Sequence, residues 1–151
     1  MNEHVLVTGG AGYLGSILCE HLLKSGRRVT VVDSLIYGQT PLFHLCADAR
    51  FDFIRGDVRD EALMARALKG ADVIIPLAAI VGVPACSRDP WLATSTNLDA
   101  IRMLNRLRGK QQLIVYPTTN SGYGAKSGFT VLQGPLTVGT GSLTVKELII
   151  K

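Results

Sequence analysis

Three glycines spaced three residues apart, Gly9, Gly12 and Gly15, stand between a short apolar run and an amphipathic one, and they restrict what the start of this chain can fold into. Val5-Leu6-Val7 reads as a buried strand. Ser16-Ile17-Leu18-Cys19-Glu20-His21-Leu22-Leu23 carries its apolar residues at helical spacing. In a strand–turn–helix unit, Gly9 takes backbone angles that a side chain forbids, Gly12 lets a phosphate approach the backbone, and Gly15 lets the helix lie tight on the strand. The N–H groups at the helix start, with Tyr13 and Leu14 beside the glycines, have no intrahelical acceptor and face an anion. The helix dipole adds about 0.3–2 kcal/mol for a negative group there. A tight strand-to-helix loop with no ligand has the same outline. A Walker-type phosphate loop does not, because Ser16 follows Gly15 directly and the lysine of that motif is missing.

The next strand separates a ligand loop from a bare turn. Val29-Thr30-Val31-Val32-Asp33 ends in an acid 24 positions after Gly9. In a βαβ unit this carboxylate falls at the carboxyl end of the neighbouring strand, within reach of a ribose. An ionised acceptor for ribose hydroxyls is worth about 1.5–3 kcal/mol. The same charge repels a 2′-phosphate, and Ser34 is not a base that would neutralise one, so NAD is expected rather than NADP.

Farther along, Leu35 to Asp48 is irregular, punctuated by Gly38 and Pro41, with a short helix expected at Leu42-Phe43-His44-Leu45. Phe51 to Arg55 alternates as a third strand. Asp60 is a suitable N-cap for a helix over Glu61 to Leu68, stopped at Gly70. Asp57 is either a turn acid or, in this fold, the acceptor for an adenine amino group. Asp72 to Ala79 reads as a fourth strand and its exit, where Ala78 and Ala79 are small enough to leave room for a flat cofactor. Pro90 opens a long helix through Trp91, Leu92, Asn97, Leu98, Ile101, Leu104 and Leu107, and Gln112 to Tyr116 is a fifth strand. Strands separated by helices at this rhythm predict a parallel, doubly wound α/β sheet with right-handed crossovers. A ligand should lie across the carboxyl ends of its strands at the switch point.

Composition narrows the class. A chain of 151 residues suits one domain and buries roughly 70% of its unfolded surface. With 47% hydrophobic and 19% charged residues it is not a disordered chain. The net charge of +4 is scattered, with Arg27-Arg28 and Arg106, Arg108 and Lys110 near helix ends. No basic face alternates with aromatics, so no nucleic-acid partner is expected. Cys19, Cys46 and Cys86 form neither a disulfide framework nor a zinc pattern, and are expected as small buried hydrophobes in a reducing compartment, with no metal. No apolar run reaches the roughly 20 residues that span a bilayer. A strand so soon after Met1 leaves no room for a signal peptide, so a soluble cytoplasmic protein is expected.

Taken as a set, these residues resemble the extended short-chain dehydrogenase/reductase family, the NAD-dependent nucleotide-sugar epimerases and dehydratases. Thr8-Gly9-x-x-Gly12-x-x-Gly15 is similar to its cofactor fingerprint, and Asp33, Gly56-Asp57-Val58 and Leu77-Ala78-Ala79 to its ribose, adenine and fourth-strand motifs. Asn97 matches an asparagine on its fourth helix. Tyr116-Pro117-Thr118-Thr119-Asn120-Ser121-Gly122-Tyr123-Gly124 resembles its fifth-strand segment, which puts Thr119 at the position of the family's catalytic hydroxyl. The resemblance covers residues 4 to 124. It implies a Rossmann-type sheet, bound NAD, a nucleoside-diphosphate sugar as substrate, and a family whose members often form homodimers.

After Gly124 the pattern departs. The family's proton-transfer pair, Tyr-x-x-x-Lys, occurs nowhere in the chain, and residues 127 to 145 hold no charged residue. Tyr123 and Lys126 are three apart and do not make the pair. The expected organisation is therefore an NAD-binding domain over 1–124, truncated after about five strands, and an atypical tail over 125–151. From about Ser127 that tail reads as shifted in frame or foreign to the fold. The sugar-binding half is expected to be absent. Two functions follow: the cofactor half of a nucleotide-sugar oxidoreductase, epimerase or dehydratase, or a non-catalytic dinucleotide-binding module or truncated inactive product.

Overall fold

The computed structural model describes residues 3–117 and the backbone of 136–138 and 141–143. Residues 1–117 form one compact unit and 118–151 another. In the first, β1 (His4–Thr8), β2 (Arg28–Asp33), β3 (Phe51–Arg55), β4 (Val73–Pro76) and β5 (Leu113–Ile114) make a parallel sheet in the order β3-β2-β1-β4-β5. This is the doubly wound arrangement expected from the alternation of strands and helices. In the second unit, β6 (Leu136–Val138) pairs antiparallel with β7 (Gly141–Leu143).

β1 lies at the centre, and Val5, Leu6 and Val7 are buried because both faces of the sheet are covered. Successive side chains of a strand point to opposite faces. Val5 and Val7 therefore join Cys19 and Leu23 of α1 (Tyr13–Lys24), together with Val29 and Val31. Leu6 joins Val32, Ile74, Met64 of α2 (Glu61–Ala67) and Leu104 of α5 (Ala100–Leu107) on the other face. In register, Thr8 sits beside Val32 and Pro76, and Asp33 beside Arg55, so every turn that leaves a strand does so along one edge. The strand order reverses direction between β1 and β4, the crevice in which ligands of such sheets bind.

Local signals set the helix ends. Asp60 Oδ1 accepts from Leu63 N at 3.0 Å and caps α2, and Gly70 follows that helix at φ +78. The short helix near Leu42 is a 3₁₀ turn, Phe43–Leu45. Three expectations change. The helix from Pro90 is not continuous: α4 (Pro90–Thr94) passes through one π-helical stretch, Ser95–Asp99, before α5. An additional short helix, α3 (Val83–Arg88), precedes it, started by Gly82 at φ +90 and Pro84 in its first turn. β5 is shorter than the Gln112–Tyr116 run. Leu77 N bonds to Thr8 O on the β1 side, so residue 76 faces β5, and there a proline has no N–H to extend the ladder.

Cys19 is buried as expected, but Cys46 is exposed and Cys86 half-buried, so the reading of all three as core residues is corrected. Among the described residues no three metal-binding side chains gather, and no helix is long and apolar enough to cross a membrane.

Candidate functional site

The glycine turn joins β1 to α1 at the carboxyl edge of the sheet. Gly9 has φ +70 and donates its N–H to Val32 O at 2.8 Å. A Cβ there would lie 2.5 Å from Ala78 N, so the turn is pressed against the exit of β4. Gly12 is the N-cap of α1, and no side chain caps that helix. Nor does an acidic residue occupy its first turn, leaving the N–H groups at its start to an outside acceptor. A Cβ on Gly15 would lie 2.5 Å from Gly9 O and 2.6 Å from Gly10 Cα. The bare surface of Gly15 thus lets α1 pass tight against Gly9 and Gly10, the residues that leave β1. Gly10, not singled out from its spacing, is equally constrained, because a Cβ would lie 2.6 Å from Val31 Cγ1. Tyr13 and Leu14, 90% and 56% exposed, open α1, where their backbone N–H groups have no intrahelical acceptor.

Asp33 is buried at the end of β2 and ties this edge together. Its Oδ2 accepts from Ala11 N at 2.9 Å in the glycine turn, and its Oδ1 accepts from Leu35 N at 2.8 Å. A carboxylate oxygen offers two lone pairs, so each retains one for a ribose hydroxyl. Leu35 adopts φ +55, a region unfavourable to a branched side chain, and its bond to Asp33 helps hold it there.

Asp57 is engaged differently from the expectation. It accepts from the Arg59 backbone N at 2.9 Å, from Arg59 Nε at 3.0 Å on each oxygen, and from Nη2 at 2.6 Å. These bonds to Arg59 hold its carboxyl below the usual carboxylate range. Arg59 is fixed in turn by Ser95 Oγ at 3.2 Å and by the Trp91 ring, whose centroid is 5.4 Å away. Asp57 lines the cleft with its carboxylate paired to Arg59, so an adenine amino group that reaches it would meet an acceptor already held in place by that arginine.

Across the crevice, Leu77 N donates to Thr8 O at 2.9 Å and Ala78 N to Thr8 Oγ1 at 3.4 Å. Asn97 does not line the crevice. Its Oδ1 accepts from Ile80 N and its Nδ2 donates to Ile80 O, both at 2.8 Å. It therefore acts on the cleft through the backbone just after Ala79. The cleft is walled by Gly9, Gly12, Asp33, Asp57, Val58, Leu77, Ala78 and Ala79, all expected. Ile36, Tyr37, Gln39, Arg59, Leu92 and Thr96 also line it and were not anticipated. Thr96 and Leu92 were legible only as members of a helix, and Ile36 to Gln39 lay in a stretch with no periodicity. Thr119 lies outside the described residues.

The fit to a dinucleotide can be judged on the chain itself. A cradle that any Cβ would fill, an uncapped helix start, a buried carboxylate with open lone pairs and small residues at Ala78 and Ala79 suit a pyrophosphate, a ribose and a flat ring.

Comparison with known proteins extends this. The model of the NAD dependent epimerase/dehydratase family matches residues 5–141, and so runs past Gly124, where the motif-by-motif resemblance ends. The chain is 32% identical over 126 residues to a UDP-N-acetyl-alpha-D-glucosaminuronate decarboxylase of Bacillus cytotoxicus, covering 82% of this chain and 39% of that protein. It is 28% identical over 155 residues to a UDP-glucose 4-epimerase of Streptomyces lividans, covering 99% of this chain and 46% of that one. Among crystal structures, the dTDP-glucose 4,6-dehydratase of Streptomyces venezuelae, a double mutant with NAD bound, superposes with a TM-score of 0.74 at 34% identity over 82% of this chain and 42% of its own. The UDP-glucuronic acid 4-epimerase of Bacillus cereus, in complex with UDP-glucuronic acid and NAD, does so with a TM-score of 0.73 at 33% identity over 83% and 43%. The chain spans less than half the length of each of these relatives. Since the family match takes in the whole parallel sheet and its glycine turn, the chain belongs to the NAD-dependent epimerase/dehydratase family.

Proposed function

We propose that this chain is the cofactor-holding part of an NAD-dependent enzyme that epimerises, dehydrates or oxidises a nucleoside-diphosphate sugar. The observation that carries the reading is the convergence of the glycine turn, the uncapped start of α1 and buried Asp33 on one cleft at the strand ends. In this reading Gly9 and Gly12 let the pyrophosphate reach the backbone, and the N–H groups opening α1 hold it. Asp33 accepts from the ribose while keeping the turn in place through Ala11 N. Leu77, Ala78 and Ala79 form the wall along which the rest of the dinucleotide lies, and Asn97 keeps that wall in register through Ile80. Bound NAD would supply hydride chemistry, which the side chains of the protein do not.

Two neighbours support the substrate class: the one from Bacillus cereus was crystallised with UDP-glucuronic acid and NAD, and one from Bordetella bronchiseptica with NAD and UDP. Thr119 belongs to this proposal as the hydroxyl that holds the reacting oxygen. So do a cofactor domain over 1–124 with a separate tail, a cytoplasmic location and a homodimeric assembly. The compact unit over residues 1–117 supports the domain reading. Titration of the full chain with NAD and NADP by calorimetry tests the core of it. NAD should bind at least about tenfold more tightly, because the Asp33 carboxylate repels a 2′-phosphate. Preference for NADP, or binding of neither, overturns the assignment.

A further inference from the structure

β4 ends at Pro76, yet the chain that leaves it, Leu77 to Ile80, goes on as a wall of the cleft. At Ile80 side chains hold that wall in the place of a neighbouring strand. Ile80 N donates to Asn97 Oδ1 and Ile80 O accepts from Asn97 Nδ2, both at 2.8 Å. The same carbonyl accepts a second bond, from Cys86 Sγ at 3.4 Å. A carbonyl oxygen has two lone pairs, and here each has a donor.

Cys86 comes from α3, a helix that buries no residue. Val83 is 80% exposed and Val81, just before the helix, 75%, whereas Cys86 is half-buried. Apolar packing therefore does not account for the inward turn of Cys86, and its bond to Ile80 does. Asn97 and Cys86 approach Ile80 from different elements, the π-helical stretch and α3. One amide side chain leaves a peptide free to pivot with it. A second donor from another element removes that freedom.

Strand order says which half of a dinucleotide this peptide faces. β1 lies between β2 and β4. A dinucleotide whose ribose meets Asp33 after β2, and whose pyrophosphate meets the glycine turn after β1, runs on toward the exit of β4. The half that reaches Ile80 is the nicotinamide nucleoside. We infer that Cys86 is a positioning residue for that half: by sharing Ile80 O with Asn97, it sets the wall against which the nicotinamide nucleoside lies. The inference rests on the proposed reading of the cleft as an NAD site.

The experiment is calorimetric titration with NAD and with ADP, which lacks the nicotinamide nucleoside, on the full chain, on Cys86→Ala and on Cys86→Ser. Because α3 buries no residue, neither variant disturbs the core. Cys86→Ala should weaken NAD about fivefold, the effect of one neutral hydrogen bond, and leave ADP within about twofold. Cys86→Ser keeps a donor and should bind NAD within about twofold of wild type. Unchanged NAD binding in Cys86→Ala overturns the inference. Equal weakening of NAD and ADP overturns it too, because the residue would then support the cleft without regard to the nicotinamide half. So does a serine variant as weak as the alanine one, which would trace the effect to the bulk of the sulfur and not to its hydrogen bond. In these three cases the wild type still binds NAD and the reading of the cleft stands. Failure of the wild type to bind NAD overturns that reading, and the Cys86 assignment with it.

Discussion

Replacing Gly12 by valine should separate cofactor binding from folding. The Gly12 backbone is extended, φ −76 and ψ 177, a conformation open to a β-branched residue. A Cβ there meets only Gly9 O, at 3.2 Å, which asks that backbone oxygen to give by a few tenths of an ångström, far less than a Cβ at Gly15 would ask of it. Valine is a poorer N-cap than glycine by about 1 kcal/mol. Stiffening of the unfolded chain returns about 0.4–1 kcal/mol of that. The net change in stability is therefore under about 1 kcal/mol, a fall in Tm of about 2–4 °C at most. Gly15→Ala is the contrasting variant. Its Cβ would lie 2.5 Å from Gly9 O and 2.6 Å from Gly10 Cα, both backbone atoms that move only if the turn moves. Overpacking of that kind costs about 1–3 kcal/mol. Binding should order the two differently from stability. The isopropyl group at position 12 stands where a phosphate must approach, and NAD affinity should fall at least about a hundredfold, equivalent to about 2.7 kcal/mol. Calorimetric melting and NAD titration of both variants measure the two effects. If Gly12→Val binds NAD within about threefold of wild type, no phosphate lies against Gly12. If it melts as low as Gly15→Ala, the local geometry described for the turn is wrong.

Two further outcomes follow from side chains that act at a distance from the ligand. Asn97→Ala removes both hydrogen bonds to Ile80, so it should cost about 1–3 kcal/mol in all and weaken NAD severalfold by loosening the wall after Ala79. Amide exchange at Ile80 should accelerate in that variant while exchange in β1 stays slow; unchanged protection at Ile80 would show that Asn97 is not what holds it. Thiol labelling should distinguish the cysteines. Cys46 is exposed and reacts first, whereas Cys19 is buried with its thiol pKa pushed up to about 12 by that burial, and should react only on unfolding. Labelling of Cys19 at the rate of Cys46 in folded protein would contradict the packing of α1 on the sheet.

Short-range patterns in the sequence were enough for the framework. The apolar run before the glycines, the acid closing the next strand and the Asp60 cap each report a preference that a few neighbouring residues settle among themselves. They correctly give β1, α1, β2 and α2, and from the alternation of elements the parallel sheet. What the site does with its polar groups was decided elsewhere. Asp57 could be read as an acid at a turn, but not its pairing with Arg59, which Ser95 and Trp91 from another helix hold. Asn97, matched as a residue on a helix, lies in the π-helical stretch and bonds to the backbone of Ile80, a partner that no local pattern names. Gly10 carried no motif, yet Val31 from the adjacent strand leaves it no space for a side chain. Gln39 lay in a stretch without rhythm, and only the return of the chain over the cleft leaves its oxygen buried and unpaired. Periodicity and capping are local energies, readable along the chain. Whether an acceptor is already satisfied depends on which donors the folded sheet brings within 3 Å of it, and those donors come from residues far away in sequence.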